Sequence, residues 1–417
     1  MLDHLQLVDV GPAPRLELEL APRLNILTGD NGLGKTFLLD VAWWALSGMW
    51  SRMPASPRRD PSTEPRLTHG ADGGARQTSR FVRSSQQWTK SQGSSTHMVV
   101  YAHIDGGFSI WDPARNGHDA SSTDTPGPAL PPFVFASDEV WDGLPRNAAR
   151  KRCNGLIHDW AAWQREKSEA FSLLSRVLLH LSPSKQEPLR PGSLLRVSLE
   201  DVRDQPSIAA PYGQDVALVH ASAGIRRIVA LAYLLVWTWR EHLQACALLG
   251  AKPANDLVFL FDEVEAHLHP QWQRRLVPAL LAVIETLSGE HELAVQLVAT
   301  THAPLVLASI EPDFEPERDA IFSFDLVDSE VRLERSPWHR RGDVNSWLSS
   351  SIFDLPEPRS LAAEEAIGEA LALLRKEDPP TLADVDAIDQ RLRRVLGDVD
   401  RFWVRWSAFV ESVRGEP

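Results

Sequence analysis

The sequence has 417 residues, 43% hydrophobic and 24% charged, enough for a folded core with one or two appended subdomains. Its 43 Lys and Arg against 56 Asp and Glu leave a formal charge of −13, which excludes an indiscriminate nucleic-acid coat but not a local basic patch. Two cysteines, Cys153 and Cys246, without a C-x-x-C pair exclude a disulfide scaffold or cysteine zinc site and fit a reducing cytosol.

Met1-Leu2-Asp3-His4 lacks the basic-then-apolar pattern of a leader, and the longest apolar stretch, Ile228 to Trp239, is too short to span a bilayer. A cytoplasmic protein with no membrane partner is expected. Leu5–Val8 and Leu16–Leu20 alternate at period two around Gly11-Pro12 and read as strands; Arg23–Thr28 is a third. Beyond Lys35, Phe37, Leu38, Val41, Ala42 and Ala45 recur at helical spacing. Ser51–Gly74, rich in Pro, Ser, Gly and Arg, reads as a mobile loop. Strands follow at Arg80–Arg83 and Met98–Ile104, and Asp105-Gly106-Gly107 turns the latter into a hairpin with Phe108–Trp111. A second polar loop, Asn116–Pro128, precedes a short strand at Phe133–Phe135.

Asn147–Leu181 reads as helical, Leu194–Leu199 as a strand and the stretch onward to His220 as loop. Ser222–His242 is a helix apolar nearly all round, hence buried. Leu257–Phe261 is a continuous apolar run, the pattern of a parallel-sheet strand. A helix over Pro270–Leu287, a strand over Ala294–Thr300 and a charged helical segment from Leu361 to Val413 complete the chain. No internal repeat occurs.

Two segments carry chemistry. Gly29-Asp30-Asn31-Gly32-Leu33-Gly34-Lys35-Thr36 is a complete G-x-x-x-x-G-K-[ST] loop between a strand and a helix. Its glycines let backbone N–H groups close around phosphates; Lys35 would neutralise the β- and γ-phosphates of ATP, and the Thr36 hydroxyl would ligate Mg²⁺. Leu257–Phe261 ends in Asp262-Glu263, the pattern of a strand delivering one carboxylate to Mg²⁺ (Asp262) and a second to the attacking water as general base (Glu263).

Asp262-Glu263-Val264-Glu265-Ala266-His267-Leu268-His269-Pro270 resembles the D-E-x-E-x-H-L-H-P run of OLD-like and RecF-like ABC ATPases. Thr300-Thr301-His302-Ala303-Pro304 resembles their switch-histidine segment, which implies that His302 contacts the γ-phosphate. His220-Ala221-Ser222-Ala223-Gly224-Ile225-Arg226-Arg227 is similar to a degenerate ABC signature, with Ala221 for the usual leucine and Ala223 for a glycine. The resemblance implies that Ser222 and Gly224 complete the ATP site of an opposite subunit, in a homodimer or higher homo-oligomer. The family's Q-loop glutamine cannot be placed among Gln86, Gln87, Gln92 and Gln164. His267 and His269 follow the family pattern and lack a third metal ligand nearby; the tryptophans, among them Trp43, Trp44, Trp237 and Trp239, read as core or interface.

The expected fold is α/β, a P-loop ABC-type ATPase core with a mixed sheet, an inserted helical lid and β-hairpin, and a C-terminal helical extension. The expected division is 1–48 and 246–340 for the two core halves, 49–135 for an insertion, 136–245 for a helical lid region with the signature, and 341–417 for the extension. After His302 the acids Asp325, Asp328 and Glu330 lie near one strand with no second acidic strand, so no intrinsic nuclease is expected. Two functions remain: an ATPase controlling a separate effector such as a nuclease, as in PtuA-like antiviral systems, or a RecF-like repair ATPase acting directly on DNA. The acidic charge and absence of a sustained heptad run favour the first.

Overall fold

The first strand, β1 (Leu2–Val10), turns at Gly11 into β2 (Ala13–Glu19), and β3 (Leu24–Gly29) runs through the Gly-rich turn into α1 (Lys35–Ser47). The structure is a computed structural model and describes residues 1–59, 63–89, 96–117, 130–147, 150–288, 293–355, 358–376 and 380–415. The chain continues through β4 (Arg66–Ala71), β5 (Gln77–Val82), β6 (Gln87–Trp88), β7 (Met98–Ala102) and β8 (Phe108–Trp111). Then come α2 (Pro113–Asn116), β9 (Phe133–Phe135), α3 (Ser137–Asp142), β10 (Pro145–Asn147), β11 (Arg150–Lys151), α4 (Leu156–Glu166) and α5 (Glu169–His180). The remainder of the first unit is β12 (Ser207–Ala209), β13 (Asp215–Ala217), α6 (Ala223–Leu249), β14 (Asp256–Phe261), α7 (Pro270–Gln273), α8 (Leu276–Ser288), β15 (Ala294–Thr300), α9 (Pro304–Ile310), β16 (Asp319–Val327) and β17 (Glu330–Ser336).

Two sheets define this unit, which spans Met1–Gly342. The larger has the order β17-β16-β3-β15-β14-β7-β8-β9, and its five middle strands from β16 to β7 are parallel. The smaller, β2-β1-β4-β5-β6, is antiparallel. Helix α1 touches β1 of one sheet and β7, β14 and β15 of the other, which explains its burial on every side: Leu38, Leu39, Val41, Ala42, Trp43, Trp44, Ala45 and Leu46 are all interior. Truncating Trp43, fully enclosed there, would cost about 3–5 kcal/mol.

Parallel order has a functional consequence. Strands β3, β15 and β14 are neighbours running the same way, so their C-terminal ends, each opening into a loop, share one edge of the sheet.

Several expectations need correction. The expected loop Ser51–Gly74 contains β4, whose Leu67 pairs with Leu7 and is fully buried. Leu194–Leu199 forms no strand; it contributes one bridge, Leu195 to Gln205. The expected loop before His220 holds the hairpin β12–β13. The single helix expected over Pro270–Leu287 breaks at Arg274-Arg275, and the helical stretch Asn147–Leu181 begins with β11 and breaks at Lys167, whose φ of 49° is left-handed. Most of the polar loop Asn116–Pro128 lies outside the described residues. The segment expected as an insertion supplies β4–β6 to the small sheet and β7–β9 to the large one. Trp43, Trp44, Trp237 and Trp239 are buried. Among the described residues no helix is long and apolar enough to cross a membrane.

The second unit, 343–417, contains α10 (Val344–Leu348), α11 (Leu361–Leu374), α12 (Leu382–Val395) and α13 (Phe402–Arg414). Ser360 and Thr381 cap α11 and α12, Thr381 in a capping box with Asp384. The apolar stripe of α11 (Ala363, Ala366, Ile367, Ala370, Leu373) packs with Val385 and Leu392 of α12 and Trp406 of α13, so this cluster has its own core.

Candidate functional site

The turn after β3 depends on left-handed backbone: Gly29, Gly32 and Gly34 have φ of 120°, 79° and 99°. A Cβ at Gly29 would lie 2.1 Å from the Phe324 carbonyl oxygen and one at Gly34 2.7 Å from Pro12, so neither position accepts a side chain. Asp30, Asn31 and Gly32 are exposed and Leu33 is buried beneath them. Lys35, the first residue of α1, is 5% exposed and folds back to donate to the carbonyls of Gly29 (2.9 Å) and Asp30 (2.6 Å). Burial lowers its pKa to about 8, although the nearby Glu263, Asp30 and Asp262 carboxylates pull it upward.

Thr36 donates to Oδ1 of Asp262 at 3.0 Å, and Thr300, at the end of β15, donates to the same oxygen at 2.9 Å. Oδ2 of Asp262 is buried and has no hydrogen-bond partner among the described residues. Burial raises the Asp262 pKa against the opposing Thr300 and Thr36 hydrogen bonds. A bare carboxylate oxygen beside a threonine hydroxyl is a hard oxygen pair that fits Mg²⁺. The residues present therefore fit the cofactor.

Glu263 follows with φ of 44°, a conformation that costs a non-glycine residue about 1–2 kcal/mol. Its backbone N–H donates to Thr300 Oγ1 at 2.6 Å, and its Oε1 lies 3.6 Å from His302 Nε2. The His302 backbone N–H donates to Oε1 of Glu265, whose Oε2 is buried without a partner among the described residues. Lys35, Thr36, Asp262, Glu263 and His302 thus share one edge of the sheet.

Ser222 and Gly224 are elsewhere. Ser222 is exposed, caps α6 by accepting from Ile225 N–H at 3.4 Å, and makes no described contact with the glycine loop. Gly224 is buried against the turn after Glu263, where a Cβ would lie 2.8 Å from the His267 carbonyl oxygen. His269 caps α7.

Sequence reasoning missed Thr300, Glu265 and Arg227. Arg227 donates to the carbonyls of Ile104 (2.9 Å), Asp262 (3.0 Å) and Glu263 (2.9 Å). Its sequence signal is its place as the last residue of the signature-like segment, to which no role attaches at that position. Among the described residues no candidate Q-loop glutamine meets the site: Gln86 and Gln87 are exposed beside the β5–β6 turn and Gln164 bridges Trp160 and Gly192; Gln92 lies outside the described residues. Beside β14 the chain instead places the end of β7, where the Ala102 carbonyl accepts from Asp262 N–H at 2.9 Å and His103-Ile104-Asp105 follow. Asp40, one helical turn beyond Thr36, accepts from the Tyr101 hydroxyl at 3.1 Å, and burial raises its pKa to about 6. Among the described residues the group of metal-capable side chains His4, Glu17 and Glu19 lies on the β1–β2 hairpin, where Arg15 and Arg76 already pair with the carboxylates.

Residues 131–308, less than half of the chain, match the family described as "AAA domain, putative AbiEii toxin, Type IV TA system". The chain is 22% identical over 201 residues to "Retron Ec83 probable ATPase" of Escherichia coli, covering 46% of this chain and 31% of that one. It is 26% identical over 102 residues to "Retron Vc95 probable ATPase" of Vibrio cholerae, covering 24% and 17%. The matched region therefore spans under a third of the length of these curated relatives. The SMC head domain from Thermotoga maritima aligns over 81% of this chain and 99% of its own, at 15% identity and a TM-score of 0.39. The glycine loop opening α1 and the acidic end of β14 two strands away share one sheet edge, and the AAA match covers the half of the site that β14 supplies.

Proposed function

We propose that the chain binds Mg-ATP at the glycine loop, hydrolyses it, and through ATP-driven head-to-tail pairing with a second copy controls a separate effector, a nuclease in an anti-phage defence system. The observation that carries the chemical part is the unpartnered Oδ2 of Asp262 beside the Thr36 hydroxyl, with Glu263 and His302 3.6 Å apart next to them.

In this reading Gly29, Asp30, Asn31, Gly32, Leu33 and Gly34 wrap the phosphates, and Lys35 leaves its two carbonyls to neutralise them. Thr36 and Asp262 hold Mg²⁺, which supplies charge neutralisation on the phosphate oxygens. Glu263 takes the proton of the attacking water, and His302 borders the γ-phosphate and orients that water. Ser222 and Gly224 sit at the N-terminus of α6, where backbone N–H groups favour an anion, and act on the nucleotide of the second copy. The exposed Ser222, separate from its own glycine loop, supports action in trans. The defence context and effector rest on the resemblance to PtuA-like ATPases, and the retron relatives, named as probable ATPases and matched only in part, support the ATPase activity alone.

Light scattering of the Glu263→Gln protein with and without Mg-ATP tests the pairing. A doubling of mass on ATP that Ser222→Arg prevents is expected, because a bulky cation cannot occupy the tight helix tip. A mass indifferent to ATP and to Ser222 contradicts it.

A further inference from the structure

We infer that Arg227 is a positioning residue that transmits engagement of the α6 tip by the second copy to the backbone of Glu263. The inference rests on the ATP-driven pairing proposed above and adds the route by which pairing reaches the catalytic acid.

The geometry begins at the tip. Ser222 and Ala223 are exposed, whereas the residues from Ile228 to Trp239 are buried without interruption, so a push on the tip meets a helix anchored along its length. Between these regions Arg227 sends its guanidinium across to the ends of two strands. Nη1 donates to the Ile104 carbonyl after β7, and Nη2 donates to the Asp262 and Glu263 carbonyls after β14. Its carbon lies 5.5 Å from the ring centroid of Phe261. No carboxylate forms an ion pair with it among the described residues, so its hydrogen bonds go to backbone oxygens while the Asp262, Glu265, Glu263 and Asp105 carboxylates act on it from a distance. Such an arrangement needs a planar fork with several donors, which an ammonium cannot reproduce.

Glu263 needs holding. Its left-handed φ of 44° is unfavourable for a side-chain-bearing residue, and two contacts oppose relaxation: Thr300 accepts from its N–H, and Arg227 donates to its carbonyl. Thr300 belongs to the switch strand of the same subunit, while Arg227 belongs to the helix that faces the second copy. Gly224 adds a second link, its backbone packed on the His267 carbonyl in the turn that follows Glu263. A cavity of about 220 Å³ bounded by Ser137, Trp141, Ala223, Arg226, Arg227 and His267 borders this junction and leaves the tip room to shift. A shift of α6 on capturing the second copy's nucleotide moves the Arg227 fork, and with it the peptide that carries the general base. Misplacing a catalytic group by about 1 Å costs on the order of 10²-fold in rate.

The test uses the full chain with Arg227→Met and Arg227→Lys, each assayed for ATP turnover, and each combined with Glu263→Gln for ATP-driven dimerisation by light scattering. The expected result for Arg227→Met is a KM for ATP within about twofold of wild type, a kcat lowered on the order of 10²-fold, and a dimer that still forms in the Glu263→Gln background. Arg227→Lys should recover part of the turnover, since one ammonium reaches fewer of the three carbonyls, and it decides the matter if the Met variant does not fold. A kcat within about twofold of wild type in a variant that dimerises overturns the inference and leaves the pairing intact. Equal losses in ATP affinity and turnover also overturn it, because they indicate general damage to the site. Failure of the Glu263→Gln parent to dimerise on ATP removes the pairing itself, and this inference with it.

Discussion

The Thr36 hydroxyl lies 3.0 Å from Oδ1 of Asp262, joining residues 226 positions apart at the mouth of one sheet edge. The contact exists because β3 and β14 are parallel and separated by a single strand, β15, which adds Thr300 to the same carboxylate oxygen. With Oδ1 shared by two hydroxyls, Oδ2 is left free for a cation.

In the proposed reading, Lys35 would make nucleotide binding pH-dependent. Its pKa in the folded protein is about 8, below the ordinary 10.5, because burial disfavours the ammonium. Bound phosphates stabilise the ammonium, so binding takes up a proton wherever the free protein has lost it. Mg-ATP affinity should be flat below about pH 8 and then weaken, approaching tenfold per pH unit. Calorimetric titration between pH 7 and 9.5 measures this. Lys35→Ala should bind no nucleotide at any pH, and a wild-type affinity constant to pH 9.5 would show the amine to be uninvolved.

Thr300 serves both acids, accepting from Glu263 N–H and donating to Asp262. Thr300→Val keeps the shape and removes the hydroxyl, leaving the part-buried Glu263 N–H without its acceptor and Oδ1 of Asp262 with Thr36 as its one donor. A stability loss of about 1–3 kcal/mol is expected, together with a kcat loss on the order of 10–100-fold. Thr300→Ser should restore most of both. Thermal unfolding and phosphate release are the measurements, and a Val variant with wild-type turnover would detach Thr300 from the chemistry.

The candidate site was legible in the sequence where it is written as contiguous runs, Gly29–Thr36 and Asp262–Pro270, because a glycine loop and a strand end need only local spacing to be recognised. What pairs β14 with β15 is a matter of register, so the Thr300–Asp262 and Glu265–His302 links appear only once the strands are set side by side. Strand β4 escaped recognition for a related reason: it follows a Pro- and Arg-rich stretch and is ordered by pairing with β1, a partner some 60 residues back. The opposite failure, Leu194–Leu199, has a strand-like composition, yet only Gln205 bridges to it. The contacts of Arg227 with three carbonyls come from segments far apart in the chain, so they appear only in the fold.

Asp40 should reveal itself through stability. Its pKa of about 6 in the folded state exceeds the usual 3.8, so the folded protein holds an extra proton between these values and loses stability as pH rises from about 4 through 6. Asp40→Asn retains an acceptor for Tyr101 and removes the buried charge. Urea unfolding should show the variant about 2 kcal/mol more stable at pH 8, with the difference largely gone at pH 4.5. A variant no more stable than wild type at pH 8 would show that the buried Asp40 carboxylate carries no net cost in the folded protein.

The most direct test of the account is single-turnover hydrolysis by the Glu263→Gln protein, with bound nucleotide identified after rapid removal of free ATP. The variant keeps Lys35, Thr36 and Asp262, so ATP should remain bound and unhydrolysed, with turnover reduced on the order of 10²–10⁴-fold, the usual cost of removing a general base. Hydrolysis at the wild-type rate would contradict the assignment of Glu263 and, with it, the claim that the end of β14 is the catalytic edge of this ATPase.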